Sequence, residues 1–299
     1  MGYSRWDYAD TAVAYASAVS TRSVQTREEI FKHSKMLEAF DPSKIVIRES
    51  RDSEHNPAST PLIIGLDVTG SMGIIAEKMA KGELGKLMSG IFDRKPVTDP
   101  HVMVMAIGDA TCDQSPLQVS QFEADIRIDN SLQDLYLEGR GGGNSFESYD
   151  LPWWFAANRT STDAYEKRGK KGYLFTIGDE PPPPATPYSQ HRLENTLGVF
   201  QGSNEYNSRV ALANAQEKYN VFHIIVEQGN YCQQHGAGTV VHQWSNLLNK
   251  RALPLDNWTH LSDLILAAIE VNEGADPVDV IKREQDSSLR KTLHHAFGV

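Results

Sequence analysis

From residue 61 onward, unbroken apolar runs alternate with amphipathic stretches. The segments "PLIIGLD" (61–67), "HVMVMAIGD" (101–109), "KGYLFTIGDE" (171–180) and "NVFHIIVEQ" (220–228) are apolar at nearly every position. Such runs predict strands covered on both faces, the pattern of a parallel sheet. Between the first two, "SMGIIAEKMAKGELGKLMSGIF" (71–92) carries its apolar residues at helical spacing. Ile75, Met79, Leu84, Leu87, Met88 and Ile91 fall on one broad face. Further helices are predicted for "SFESYDLPWWFAANRT" (145–160, broken at Pro152), "EYNSRVALANAQEKY" (205–219), "VVHQWSNLLNK" (240–250) and "LSDLILAAIEV" (261–271). "LQVSQFEADIRI" (117–128) predicts an edge strand or two short ones, and residues 277–299 one or two short helices.

Residues 1–60 have a different texture. "DYADTAVAYASAV" (7–19) and "TREEIFKHSKMLEAF" (26–40) show helical spacing. In the second, Ile30, Met36 and Leu37 point inward, and Thr26 with Glu29 forms a capping box. "KIVIRE" (44–49) predicts a short strand, and the polar, turn-rich "SRDSEHNPASTP" (50–61) a linker. Three units follow: an N-terminal helical extension with linker (1–60), an α/β domain (61–273) and a C-terminal helical tail (274–299). The domain is expected to be a doubly wound, mostly parallel sheet flanked by helices. In such sheets ligands bind beyond the carboxyl ends of the strands.

Composition narrows the class. The formal net charge of −10 over 299 residues argues against a dedicated nucleic-acid binder. The two cysteines, Cys112 and Cys232, suggest free thiols and no disulfide framework. Neither a signal peptide nor an apolar run of about 20 residues is visible, so a cytoplasmic protein with no membrane association is expected.

Three polar clusters are tied to strand ends or a helix start. Asp67, Thr69 and Ser71 close the first strand in "GLDVTGSMG" (65–73). "GRGGGNSFES" (139–148) precedes a helix, and "TIGDE" (176–180) ends a later strand. In a parallel sheet these can converge on one edge. Hydroxyls, one or two carboxylates and waters make up the oxygen set that Mg²⁺ takes. A site with few carboxylates leaves the cation under-neutralised and open to an external carboxylate.

"LDVTGSMG" resembles the first loop of the metal-ion-dependent adhesion site of von Willebrand factor type A (VWA) domains, Asp-x-Ser-x-Ser, with Thr69 in place of the first Ser. The family's later Asp looks like Asp179 in "FTIGDE". Its Thr, often after a glycine run, should lie in "GGGNS", where Asn144 and Ser145 stand instead. Either could supply an oxygen, and Asn144 is favoured because it directly follows the glycines. The resemblance covers residues 61–273. It implies a six-stranded, mostly parallel sheet with one antiparallel edge strand. It also implies Mg²⁺ (with Mn²⁺ or Ca²⁺ as substitutes) held by Asp67, Thr69, Ser71, Asn144 and Asp179, and a non-enzymatic role in binding a carboxylate of a protein partner. Soluble relatives in prokaryotes and phages often act beside a MoxR-type AAA+ ATPase, which makes such an ATPase the first partner to test. The terminal segments could dock to that partner or to a second copy of the chain.

Rival readings find fewer residues. A phosphate loop lacks its glycine at Ala80 and its Lys-Ser/Thr pair. A Mg²⁺-dependent phosphohydrolase of the haloacid dehalogenase type, with Asp67 as nucleophile, would use "GDATCD" (108–113), but its general acid is replaced by Thr69. A serine hydrolase lacks G-x-S-x-G around Ser71. In the blandest alternative, Thr69 or Ser71 simply caps the following helix. "EPPPP" (180–184) reads as a rigid surface loop or a polyproline II ligand. Arg48 and Arg51 read as a solvated edge or as contacts to an acidic partner or the site rim.

Overall fold

A computed structural model describes Ser17, Phe31 and residues 33–125, 127–138, 145–198 and 206–299. Its centre is a mixed six-stranded sheet flanked by helices. The strands are β2 (Thr60–Asp67), β3 (Pro100–Ile107), β4 (Leu117–Val119), β6 (Gly172–Gly178), β7 (Tyr219–Val226) and β8 (Ala252–Leu255). Their order across the sheet is β4-β3-β2-β6-β7-β8. The β3–β4 pair is antiparallel, and the other neighbours are parallel. A separate two-stranded parallel ladder joins β1 (Arg48–Ser50) to β5 (Thr160–Thr162).

Side-chain alternation along the central strands builds two cores. Leu62, Ile64 and Leu66 of β2 pack with Met79, Leu87 and Met88 and with the helix Leu261–Asn272. Ile63, on the opposite pleat, packs with Trp153, Phe155, Leu212 and Trp244. Both faces of β2 are therefore covered, and all eight of its residues are buried. This is why the run shows no polar alternation in sequence.

The helix after β2 is interrupted. Ile74–Lys78 and Leu84–Arg94 are α-helical, and Met79–Glu83 between them forms a π-helical turn. The Ser262 hydroxyl donates to the Glu83 carbonyl at 2.6 Å, so the widened turn is satisfied from a neighbouring helix. Met79, Leu87, Met88 and Ile91 are buried as their spacing predicts, and Ile75 is half-buried. The Leu84 side chain lies outside the described ones.

Several expectations need correction. Residues 33–40 carry only a 3₁₀ turn, Glu38–Phe40, with Leu37 extended before it. Burial of Phe40 in the core overrides the helical spacing there. The first predicted helix, apart from Ser17, lies outside the described residues, as do Thr26, Glu29 and Ile30. The segment 117–128 forms one edge strand and an isolated bridge from Glu123 to Val102. Its end then enters the helix Arg127–Gln133, which buries Ile128 and Leu132 four residues apart. Pro152 does not break the helix Asp150–Asn158. It sits in the first turn, where no intrahelical N–H is needed. Two helices, Pro277–Arg283 and Ser287–Phe297, form the tail.

Arg48 turns inward, whereas Arg51 stays half-exposed within a cluster of acids. The Arg48 guanidinium donates to the carbonyls of Ala39 and Val119, and Arg51 pairs with Glu49, Asp163 and Glu166. His101 of β3 ties the segment before β2 to the sheet, within 3.0 Å of Ser50 Oγ and 3.4 Å of Asn56 Nδ2.

Candidate metal-ion site

Parallel pairing of β2 with β6 brings their carboxyl ends side by side, with Leu66 opposite Ile177. Asp67 and Asp179, which follow from those positions, are both fully buried. Between them lies the loop carrying Thr69 and Ser71. Thr69 donates its backbone N–H (2.9 Å) and its hydroxyl (2.6 Å) to Asp67 Oδ1. Ser71 donates its hydroxyl to Asp179 Oδ1 at 2.8 Å. The two hydroxyl oxygens stand 3.2 Å apart. Four of the five expected ligands therefore meet at one strand edge. Asn144 lies outside the described residues. Ser145 is exposed and stands next to Tyr231, whose backbone N–H donates to Asp179 Oδ2 at 2.8 Å.

Residues not anticipated from sequence complete the site. Tyr149 donates its hydroxyl to Asp67 Oδ2 at 2.7 Å and accepts the Glu180 N–H at 3.3 Å. The ring fits because β6 ends in glycine: a Cβ on Gly178 would lie 2.0 Å from the Tyr149 hydroxyl. Gly229 plays the same part for Asp179, since a Cβ there would come within 2.4 Å of its carboxyl carbon. Glu147 and Glu180 are buried beside the aspartates, and Oε2 of each has no hydrogen-bond partner in the protein. Asp109 turns to its own loop, accepting from the N–H and hydroxyl of Thr111, so it acts as a loop cap.

The electrostatics follow from burying carboxylates together. Burial, reinforced by Asp179, pushes Asp67 up to about 7. Burial also raises Asp179. Glu180 rises to about 8, through burial and then the charges of Asp67 and Asp179. Glu147 rises to about 11, from burial first and Asp67 next. Burial is the main reason each carboxyl resists ionising, and for Asp67, Glu147 and Glu180 the neighbouring acids add to it.

The oxygens are packed closely. Thr69 donates to Asp67 and Ser71 to Asp179, and the two hydroxyls stand 3.2 Å apart, where either could donate to the other. Adjacent ligands of an octahedral Mg²⁺, at about 2.1 Å from the ion, are separated by roughly 3.0 Å. The 2.8 Å and 3.2 Å separations here match that spacing. Asp67, Thr69, Ser71 and Asp179 thus fit a hard divalent cation. Among the described residues, no three His, Cys, Asp or Glu side chains form a ready-made metal group. The donors in question are two carboxylates and two hydroxyls.

No family model and no curated protein matches the chain. Among solved structures, it is similar to the pilus adhesin SpaC from Lactobacillus rhamnosus GG in its open conformation, with a TM-score of 0.48 and 10% identity. That superposition covers 75% of this chain and 31% of the adhesin. A second form of the same adhesin gives 0.48 and 10%, over 75% and 32%. The chain thus spans about a third of the adhesin's length, and at that likeness no property of the adhesin carries over. No helix among the described residues is long and apolar enough to cross a membrane.

Proposed function

We propose that the protein is a VWA-type interaction module that binds a carboxylate of a partner protein through Mg²⁺, and is not an enzyme. The observation that carries this reading is the convergence of two buried carboxylates and two hydroxyls, from Asp67, Asp179, Thr69 and Ser71, at two adjoining strand ends. A divalent cation relieves the like-charge repulsion between the aspartates and has vertices left for an incoming acid. The antiparallel strand at one edge of the otherwise parallel pairing supports the family reading. Asn144 or Ser145 would add a further oxygen from the glycine-rich loop. A MoxR-type AAA+ ATPase is the first partner to test, and we place the pair inside the cell. Both cysteines are free thiols, in keeping with that location.

The phosphohydrolase alternative draws less support. Thr69, at the place of the general acid, spends its proton on the candidate nucleophile, and Asp109 is engaged by Thr111. The test is co-purification of tagged protein with its partners, in Mg²⁺ and in chelator, with Asp67→Ala alongside. Partners retained in Mg²⁺, and lost in chelator and in the folded variant, are the expected result. Partners held equally under all three conditions would overturn the reading.

A further inference from the structure

Glu180 opens "EPPPP" beside the cluster, and its backbone is held at both ends. Its N–H meets the Tyr149 hydroxyl, and its carbonyl accepts from Trp244 Nε1 at 2.9 Å. The proline that follows restricts its backbone further. Its side chain is only 6% exposed. Ser71, whose hydroxyl donates to Asp179, also stands next to the Glu180 carboxyl group. Glu180 Oε2 is buried and has no hydrogen-bond partner in the protein. A free buried carboxyl oxygen therefore lies beside a candidate ligand. An unpartnered buried carboxylate oxygen is costly, and such atoms call for an explanation.

We propose that Glu180 selects Mg²⁺ over Ca²⁺ by accepting, through its free Oε2, a hydrogen bond from a water that the cation retains. This rests on the reading of the loop as a cation site. The selectivity argument comes from ion chemistry. Mg²⁺ gives up water reluctantly and is held partly through its remaining waters, whereas Ca²⁺ sheds water and takes more direct oxygens at longer distance. A rigid carboxylate one water away from the ion therefore favours the smaller cation. The four prolines keep that carboxylate from moving in to become a direct ligand of the larger one. Glu147 is also buried with a free Oε2, but no proline run follows it to fix its backbone. It supplies the control.

The experiment measures Mg²⁺ and Ca²⁺ affinity by calorimetry on the full chain, for wild type, Glu180→Gln, Glu180→Leu, Glu147→Gln and Asp67→Asn. A melting curve in chelator verifies that each variant is folded. Loss of an outer-shell partner weakens metal binding by about 10- to 100-fold. Both Glu180 variants should therefore lose at least about tenfold in Mg²⁺ affinity while Ca²⁺ affinity changes little. Glu147→Gln should keep the wild-type ratio, and Asp67→Asn should bind neither ion. A Mg²⁺/Ca²⁺ ratio unchanged in the Glu180 variants, or changed as much in Glu147→Gln, would overturn the proposal and leave the cation site standing. Wild type that binds neither ion would sink the site itself.

Discussion

Replacing Asp67 with Asn separates a cation site from a helix cap, because the two predict opposite signs. Asp67 is fully buried, and its pKa is raised to about 7 by burial and by Asp179. A carboxylate raised on folding favours the folded state only while protonated. That contribution is present below pH 3.8 and is lost as pH rises through 7. Above pH 7 the ionised carboxylate costs about 4 kcal/mol relative to its unfolded state, at about 1.4 kcal/mol per unit. Asparagine removes that cost. It keeps an acceptor for Thr69 and forfeits about 1–2 kcal/mol of charge-assisted hydrogen bonding. The net gain in chelator at pH 8 is then about 2 kcal/mol, or roughly 4 °C in melting temperature for a chain of this size. In Mg²⁺ the order should reverse. Wild type at 100 times its dissociation constant gains about 2.7 kcal/mol, and the variant gains nothing. Differential scanning calorimetry in chelator and in Mg²⁺ reads both effects. If Asp67→Asn melts lower than wild type in chelator and Mg²⁺ moves neither protein, Asp67 is a structural cap and the reasoning fails.

Two other perturbations probe the frame around the site. Gly229→Ala places a Cβ within 2.4 Å of the Asp179 carboxyl carbon. The aspartate must shift, so the Mg²⁺-induced rise in melting temperature should fall by at least half while the far-ultraviolet circular dichroism stays unchanged; an undiminished rise would show that Asp179 is not a ligand. His101, 2% exposed, is held by burial at a pKa of about 4, below its ordinary 6.5. Its stabilising contribution is complete above pH 6.5 and is lost as pH falls toward 4, by about 3 kcal/mol in all. Urea midpoints at pH 7 and pH 4 should therefore drop less in His101→Gln than in wild type, and an equal drop would refute a neutral buried imidazole.

The sheet was legible in the chain because a strand buried on both faces leaves an unmistakable trace. Every residue of β2 and β3 is buried, and both appear as unbroken apolar runs. Short elements at the margins leave a weaker one. "ADIRI" reads as a strand by alternation, yet it enters a helix whose buried contacts, Ile128 and Leu132, extend past the end of the segment. The helix expected through residue 40 yields to the burial of Phe40, a tertiary event that local spacing does not record.

The site divides in the same way. Asp67, Thr69 and Ser71 are two residues apart in one loop, so a strand end followed by a helix start brings them together with no long-range information. Asp179 could be anticipated because it ends a parallel neighbour of β2. Tyr149 and Glu147 come from a loop and a helix start far along the chain, and only packing puts them beside Asp67. Tyr149 leaves one indirect trace in sequence, the glycine at 178, where a Cβ would strike its hydroxyl. Glu180 was hidden differently. In sequence it belongs to a proline run, whose plain reading is a rigid surface loop. In the fold that rigidity is what fixes a buried carboxylate beside Ser71, with Tyr149 and Trp244 clamping its backbone. A stiff segment and an acidic residue, each unremarkable alone, become a selective element only because the chain places the stiffness directly after the acid.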